Sequence, residues 1–312
     1  MTNQRLALFL ISGLLVAGSI VTTLAPMDRA ASLEAVAQVF SDVMLDADQA
    51  GLQLTRVSLA EENEFGKRLG EAVENNSAIP ADLTRYVTEI GNKVAQRVER
   101  PGISYRFRVI DSPMINAFAL PGGYVFLYRG LINKVENEAQ LAAVIGHEIA
   151  HIDLRHCVER YQYRLKLKEM KLPSDAGALA DFARGLGIQT YSQQQELAAD
   201  AHGWKLAVEA GYDPDGARSL MALFDQLYLR NPSQPNLPNS PAQESAAAVD
   251  RAFEDFFSSH PPSARRAQAL RELIESERTR LVGREFCVGR SNLHDRVTCL
   301  QRRAPDEIVK FQ

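Results

Sequence analysis

The chain has 312 residues, is 46% hydrophobic and 24% charged, and carries a net charge of -4. Those are the values of a folded globular protein with room for one large domain or two ordinary ones. The mild acidity gives no basic footprint for nucleic acid, and the Cys count of 3 excludes a small disulfide-built scaffold.

In chain order the first feature is Arg5 followed by an uncharged run from Leu6 to Ala25. The run is longer than an ordinary secretory core and about as long as a membrane span. Residues 1–26 are therefore expected to be a signal peptide or a single membrane anchor. Either form exports the rest of the chain, because Arg5 favours the inside. No cysteine ends the run, which excludes a lipoprotein signal. Residues 31–75 read as mostly helical, with Val36, Val39, Phe40 and Val43 at helical spacing. A second helix is expected over 81–99, bearing Leu83, Val87, Ile90 and Val94 on one face and stopped by Pro101-Gly102. Tyr105, Phe107 and Val109 then alternate with Arg106 and Arg108, the period of a half-buried strand. Two further strand-like runs come next, Ala117–Leu120 and Tyr124–Tyr128, separated by Pro121-Gly122-Gly123. Asn137 is a suitable N-cap for the next helix. Ser192 and Gln195 have capping-box spacing for another, which Gly211 is placed to end. Asp213-Pro214 would start the one after it. Residues 231–245 hold four prolines and read as a loop, and a last helix is expected over 263–280. The expected class is α+β, mostly helical with a small sheet. One domain over residues 31–280 is followed by a tail, 281–312. Within the tail, Cys287 and Cys299 are expected to pair, as suits an exported protein, contributing roughly 3 kcal/mol. Cys157 is then left as a small buried residue.

The helix capped by Asn137 carries His147-Glu148-Ile149-Ala150-His151. Residues four apart on a helix differ by about 40° around its axis, so both imidazoles reach one cation. Glu148 stands beside that cation rather than on it, where it can accept a proton from activated water. A third ligand is needed. A glycine and a histidine three and six past His151 would supply one, but Leu154 and Cys157 stand there. His156 lies about 140° from His151 on a continuous helix and is read as a structural or surface histidine. Glu196 is the better candidate, in the first turns of a capped helix among small residues. Asp200, one turn later, is placed to orient a zinc-bound histidine. His202 faces away from Glu196 by the same geometry, and His294 lies in the tail. His260, before Pro261-Pro262, is the leading candidate for a further site group. Two roles stay open for it: donor to an oxyanion, or latch on the metal's fourth position.

Asn116-Ala117-Phe118-Ala119-Leu120-Pro121-Gly122-Gly123, His147-Glu148-x-x-His151 with Arg155-His156, Glu196-x-x-x-Asp200, and His260-Pro261-Pro262 with an arginine soon after occur in that order. In this the chain resembles the M48 family of zinc metallopeptidases, gluzincins that include the CAAX prenyl proteases and a stress-activated mitochondrial inner-membrane protease. It is most similar to the short bacterial envelope members. The resemblance implies one Zn²⁺ per chain on His147, His151 and Glu196, with Glu148 as general base. It also implies a strand over Asn116, Ala117, Phe118 and Ala119 that edges the cleft and pairs with extended substrate. The expected activity is endopeptidase, acting on unfolded or misassembled polypeptides on the periplasmic side of a bacterial envelope. Membrane contact, if any, would be through the N-terminal segment. The multiple spans of the prenyl proteases are missing, as are helical repeats in the tail. A metal-bound binding or chaperone-like module is the rival from another class, and a hydrolase of non-peptide bonds is a third reading.

Overall fold

The computed structural model describes residues 57–165, 174–187, 191–230, 260 and 264–312. The N-terminal hydrophobic run, residues 31–56 of the segment read as mostly helical, and the proline-rich loop lie outside the described residues. Among the described residues no helix is long and apolar enough to cross a membrane.

Helix α1, Leu59–Asn75, opens on a reciprocal capping box in which Ser58 Oγ accepts from the Glu61 amide and the Glu61 carboxylate accepts from the Ser58 amide. Helix α2, Ala81–Ala95, comes after Pro80. Three strands come next: β1, Arg106–Ile110; β2, Ala117–Leu120; and β3, Tyr124–Tyr128, with Pro121–Gly123 as a tight turn between the last two. The sheet order is β1-β3-β2. β1 runs parallel to β3, and β2 runs antiparallel to it with Phe118 opposite Phe126.

The period-2 pattern sorts the sheet onto two cores. Phe107, Val109, Ala117, Ala119, Val125 and Leu127 face one cluster, shared with Val87 and Ile90 of α2. Ile110, Phe118, Leu120, Tyr124, Phe126 and Tyr128 face the other, against Phe65, Leu69 and Val73 of α1. Both faces of β2 and β3 are therefore covered, and of the three strands only β1 keeps an exposed arginine, Arg106, and a half-buried one, Arg108.

After the short α3, Arg129–Ile132, the central helix α4 spans Glu138–Asp153. Asn137 caps it, its Oδ1 accepting from the Gln140 amide at 2.9 Å. Every residue of α4 from Glu138 to Ile152 is buried. The sequence explains this: the helix has no continuous polar stripe, and a helix apolar on all sides belongs inside. Helix α5, His156–Leu165, starts after a break at Arg155, whose φ is 68°. Helices α6, Ala176–Gly187, and α7, Gln193–Glu209, are next. Ser192 and Gln195 form the expected capping box on α7. Gly211, with φ 89°, ends that helix: its own amide reaches Val208 O at 2.9 Å and the next reaches Ala207 O at 3.1 Å. That pair of bonds is the Schellman motif, which needs the left-handed conformation glycine adopts freely. Helix α8, Asp215–Arg230, begins with Asp213 Oδ1 accepting from the Asp215 amide. The last long helix, α9, covers Ala264–Leu281.

The tail folds against the start of α4. Strands β4, Glu285–Cys287, and β5, Ile308–Lys310, pair antiparallel, with α10, Arg290–Asp295, between them. Cys287 and Cys299 are joined, and Cys157 is free and buried. The carbonyls of Gly289 and Val288 accept the otherwise unpaired amides of Glu138 and Ala139, both at 3.0 Å. Glu138, itself buried, accepts from Tyr86 Oη, Tyr212 Oη and the Cys299 amide.

Candidate active site

Helices α4 and α7 cross at a pair of glycines. A Cβ on Gly146 would lie 2.5 Å from Gly203 O, and one on Gly203 would lie 2.6 Å from Gly146 C. Only hydrogen fits at either position, so the backbones touch, and His147 and His151 of α4 are brought against Glu196 of α7. His151 Nε2 is 3.1 Å from His147 Nε2 and 3.4 Å from Glu196 Oε1, and His147 Nε2 is 3.6 Å from Glu196 Oε2. His260 joins them, its Nδ1 3.1 Å from His147 Nε2 and 2.9 Å from Glu196 Oε1. All four offer ligand atoms within 4.8 Å of one another, and all four are buried. Three imidazole nitrogens and a carboxylate form the kind of donor set that holds a divalent metal ion.

Glu148 is 1% exposed, with the Ala119 backbone of β2 beside its carboxylate. Its Oε1 lies 3.4 Å from His260 Nε2. Burial pushes its carboxyl up to about 7; His147 opposes the rise and Glu196 adds to it. Glu196 goes the other way. Burial alone would raise it, but the His260, His151 and His147 rings hold it below the usual carboxylate range. Burial also keeps His151 well below the ordinary imidazole value, so it is neutral, the form that binds metal.

Each ligand is held from behind. Asp200 Oδ1 lies 3.0 Å from His147 Nδ1. Arg266 of α9 grips Asp200 through Nε and Nη2, both at 2.7 Å, and reaches Glu196 Oε2 through Nη1 at 2.6 Å. Asp200 stays ionised because Arg266 and His147 outweigh the effect of burial. His151 Nδ1 lies 2.9 Å from His156 Nδ1, and its ring stacks on Tyr191 with centroids 3.7 Å apart.

The placement of His156 corrects the reading of it as a histidine pointing elsewhere. That reading assumed one continuous helix. Instead α4 stops after Asp153, Arg155 takes a left-handed conformation, and α5 turns the His156 ring back onto His151. Arg155 is held in its turn by Val57 O and by the buried Glu62, which Arg100 also engages. Two ring nitrogens at hydrogen-bond distance need one donor and one acceptor. With His151 neutral and its Nε2 turned to the cluster, His151 Nδ1–H donates and His156 Nδ1 accepts. Burial lowers His156 to about 4, which keeps it neutral for that task.

His202 lies outside the cluster, 2.6 Å from Asp153 Oδ2, and His294 pairs with Asp295 in the tail. Tyr191 gave no signal in the sequence beyond its place just before a helix cap. Strand β2 is the outer strand beside the site. Asn116 Oδ1 accepts from the Ala117 amide at 2.8 Å, and Cys157 Sγ lies 3.6 Å from Ala119 O. Ala117, Phe118 and Ala119 are buried in the sheet.

The model of peptidase family M48 matches residues 81–274. The chain belongs to peptidase family M48. It is 27% identical over 196 residues to the mitochondrial metalloendopeptidase OMA1 of Arabidopsis thaliana, covering 62% of this chain and 36% of that one. The beta-barrel assembly-enhancing protease of Escherichia coli K12 is 25% identical over 247 residues, 73% of this chain and 51% of its own. The mitochondrial metalloendopeptidase OMA1 of Bos taurus is 32% identical over 195 residues, 56% and 34% respectively. The chain thus spans about a third to a half of the length of these relatives.

Proposed function

We propose that this M48 member is a zinc-dependent endopeptidase acting on unfolded or misassembled proteins in a bacterial envelope. The observation that carries the reading is the convergence of His147 Nε2, His151 Nε2 and the Glu196 carboxylate. These three would hold one zinc ion. When bound, zinc lowers the pKa of water towards 7 and polarises a carbonyl oxygen. Glu148 takes the proton from the attacking water and passes it to the departing amine. Burial raises that carboxyl and the cation beside it would draw it back down, which suits a group that must both take and release a proton. Asp200 and His156 fix the tautomers and orientation of the two histidines, and Arg266 holds the two acidic residues. Substrate lies extended along β2, where Asn116, Ala117, Phe118 and Ala119 line the strand. His260, with Nδ1 among the ligand atoms, is best read as a fourth donor that must withdraw before substrate enters.

The envelope assignment rests on the uncharged N-terminal run, on the Cys287–Cys299 disulfide, which needs an oxidising compartment, and on the name of the Escherichia coli relative. Residues 1–26 would export or anchor the catalytic domain. The decisive experiment measures metal content and casein cleavage together. Purified protein is expected to hold one zinc per chain. Glu148→Gln is expected to retain the zinc and the fold while losing cleavage. Cleavage unchanged in that variant would overturn the role of Glu148, and protein that takes up no stoichiometric metal would overturn the zinc reading.

A further inference from the structure

Arg155 forms a hinge one residue long. Its amide donates to Ile152 O at 3.0 Å, which closes the last turn of α4, and its carbonyl accepts from the Glu159 amide at 3.0 Å, which opens α5. With one bond on each side, the backbone angle of this residue sets the direction in which α5 leaves α4. Its φ is 68°. That region is crowded for a residue with a Cβ, and glycine is the residue that adopts it freely. An arginine in a conformation better suited to glycine directs attention to its side chain.

The start of α1 holds that side chain on two sides. Arg155 Nη2 donates to Val57 O at 2.9 Å, and Nη1 lies 3.5 Å from Glu62 Oε2. Val57 is 2% exposed and the Glu62 side chain 1%. Arg100 completes the group. Both of its terminal nitrogens reach the Glu62 carboxylate, and Nη1 also donates to Ile152 O at 2.9 Å. Ile152 O is the same carbonyl that accepts the Arg155 amide. One buried carboxylate thus ties two arginines, and both are fastened to the last turn of α4, beside His151.

A buried ionic cluster is weak evidence for stability, because apolar residues of the same volume commonly serve as well. What it supplies here is a fixed geometry, since each buried charge must keep its partner. That geometry ends at the metal cluster. The hinge turns His156 back so that its Nδ1 lies 2.9 Å from Nδ1 of His151. An acceptor at that distance orients a ligating ring and raises its basicity. We propose that Glu62 and Arg155 are positioning residues of the metal site: α1 grips the Arg155 side chain, and the left-handed turn so held keeps the His156 ring on His151. The proposal rests on the zinc reading and adds what sets the metal affinity. Helix α1 precedes residues 81–274, the segment matched by the family model. Part of the support of the site therefore comes from outside that segment, and lifting Val57 and α1 off Arg155 weakens the hold on the metal.

The test is a double-mutant cycle on the full chain. Zinc affinity is titrated against a competing chelator, and the Tm of the metal-free protein is measured beside it. Arg155→Met keeps the apolar stem, removes the donors and leaves Glu62 paired with Arg100. It is expected to weaken zinc binding at least about 10-fold. In a His156→Phe background the same change is expected to alter affinity less than about 2-fold, because the path it acts through is already cut. Glu62→Gln is expected to show the same dependence on His156. Arg155→Lys keeps a cation without the fork that reaches Val57 O and Glu62 together, and is expected to recover part of the affinity. It takes the place of Arg155→Met in the cycle if that variant does not fold. A cluster that only fastens α1 to α4 would lower the Tm of the metal-free protein and leave zinc affinity unmoved, or weaken zinc equally with and without His156. Either outcome overturns the proposal and leaves the zinc reading standing. Parent protein that takes up no stoichiometric zinc overturns the zinc reading, and the proposal with it.

Discussion

Gly203→Ala is a sharp test of how the site is held. Inside a helix the change to alanine is ordinarily favourable by about 1 kcal/mol. Here the new Cβ would lie 2.6 Å from Gly146 C and from His147 N. Both are main-chain atoms of α4, which cannot rotate away as a flexible side chain would. Ordinary contact begins at 3.4 Å, so α4 and α7 must separate locally by roughly 0.8 Å. Overpacking of that kind costs typically about 1–3 kcal/mol. Set against the propensity gain, the net effect on the metal-free protein is a loss of up to about 2 kcal/mol. For a domain of this size that is roughly a 4–8 °C fall in Tm. The effect on zinc should be larger, because the separation moves Glu196 away from His147 and His151. Metal–ligand distances tolerate only about 0.2 Å, so affinity is expected to fall at least about 10–100-fold. Calorimetry of the metal-free protein and zinc titration against a competing chelator measure the two effects separately. A variant more stable than the parent, with the same zinc affinity, would refute the idea that glycine contact sets the ligand geometry.

His156→Phe removes the acceptor from His151 Nδ1 and is expected to weaken zinc binding about 10–100-fold with the fold intact; equal affinity in the chelator assay would sink that role. His260→Ala is expected to raise turnover of an unstructured substrate if the ring occupies the fourth donor position. An oxyanion donor would instead lose about 10²–10³ in kcat. Asp153 is held below its ordinary value because His202 and the Arg100 and Glu99 amides outweigh burial. Its contribution to stability is thus present above the unfolded value of about 3.9 and is lost as pH falls through the lower folded value. Asp153→Asn should therefore cost about 2 kcal/mol near pH 6, and urea unfolding should show the difference shrinking in acid. A difference independent of pH would count against the His202 pairing.

The elements that hold the site were legible because local chemistry marks their ends. Asn137, Ser192 with Gln195, and Gly211 each act where their side chains or backbone freedom predict. The three strands were legible from period-2 alternation and the Pro-Gly-Gly break. The disulfide was legible from the closeness of Cys287 and Cys299 in sequence. What escaped was carried by tertiary geometry. His156 was misplaced because a single left-handed residue, Arg155, resets the helical wheel, and nothing about an arginine announces a positive φ. Tyr191 is joined to the site through rings far away in sequence, stacking on His151 forty positions earlier and lying beside His156 and His260.

The tail was opaque for a different reason: its order comes from what it caps. A buried central helix has amides at its start that no earlier turn can accept, and α4 has them deep in the molecule rather than at its surface. Val288 O and Gly289 O accept two of them, while the Cys299 amide and two tyrosines engage Glu138. The other end of α4 is held by Arg100, which donates to Ile152 O and through its amide to Asp153, and by His202. Between the two ends lie His147, Glu148 and His151. A cluster of metal-ligating side chains on so apolar a helix requires that its axial position be fixed, since a shift along the axis moves all three residues relative to Glu196 together. The Cys287–Cys299 link stands outside the cleft yet closes the segment that anchors the start of that helix. Its place in the molecule is explained by that mechanical role as much as by the stability of the tail itself.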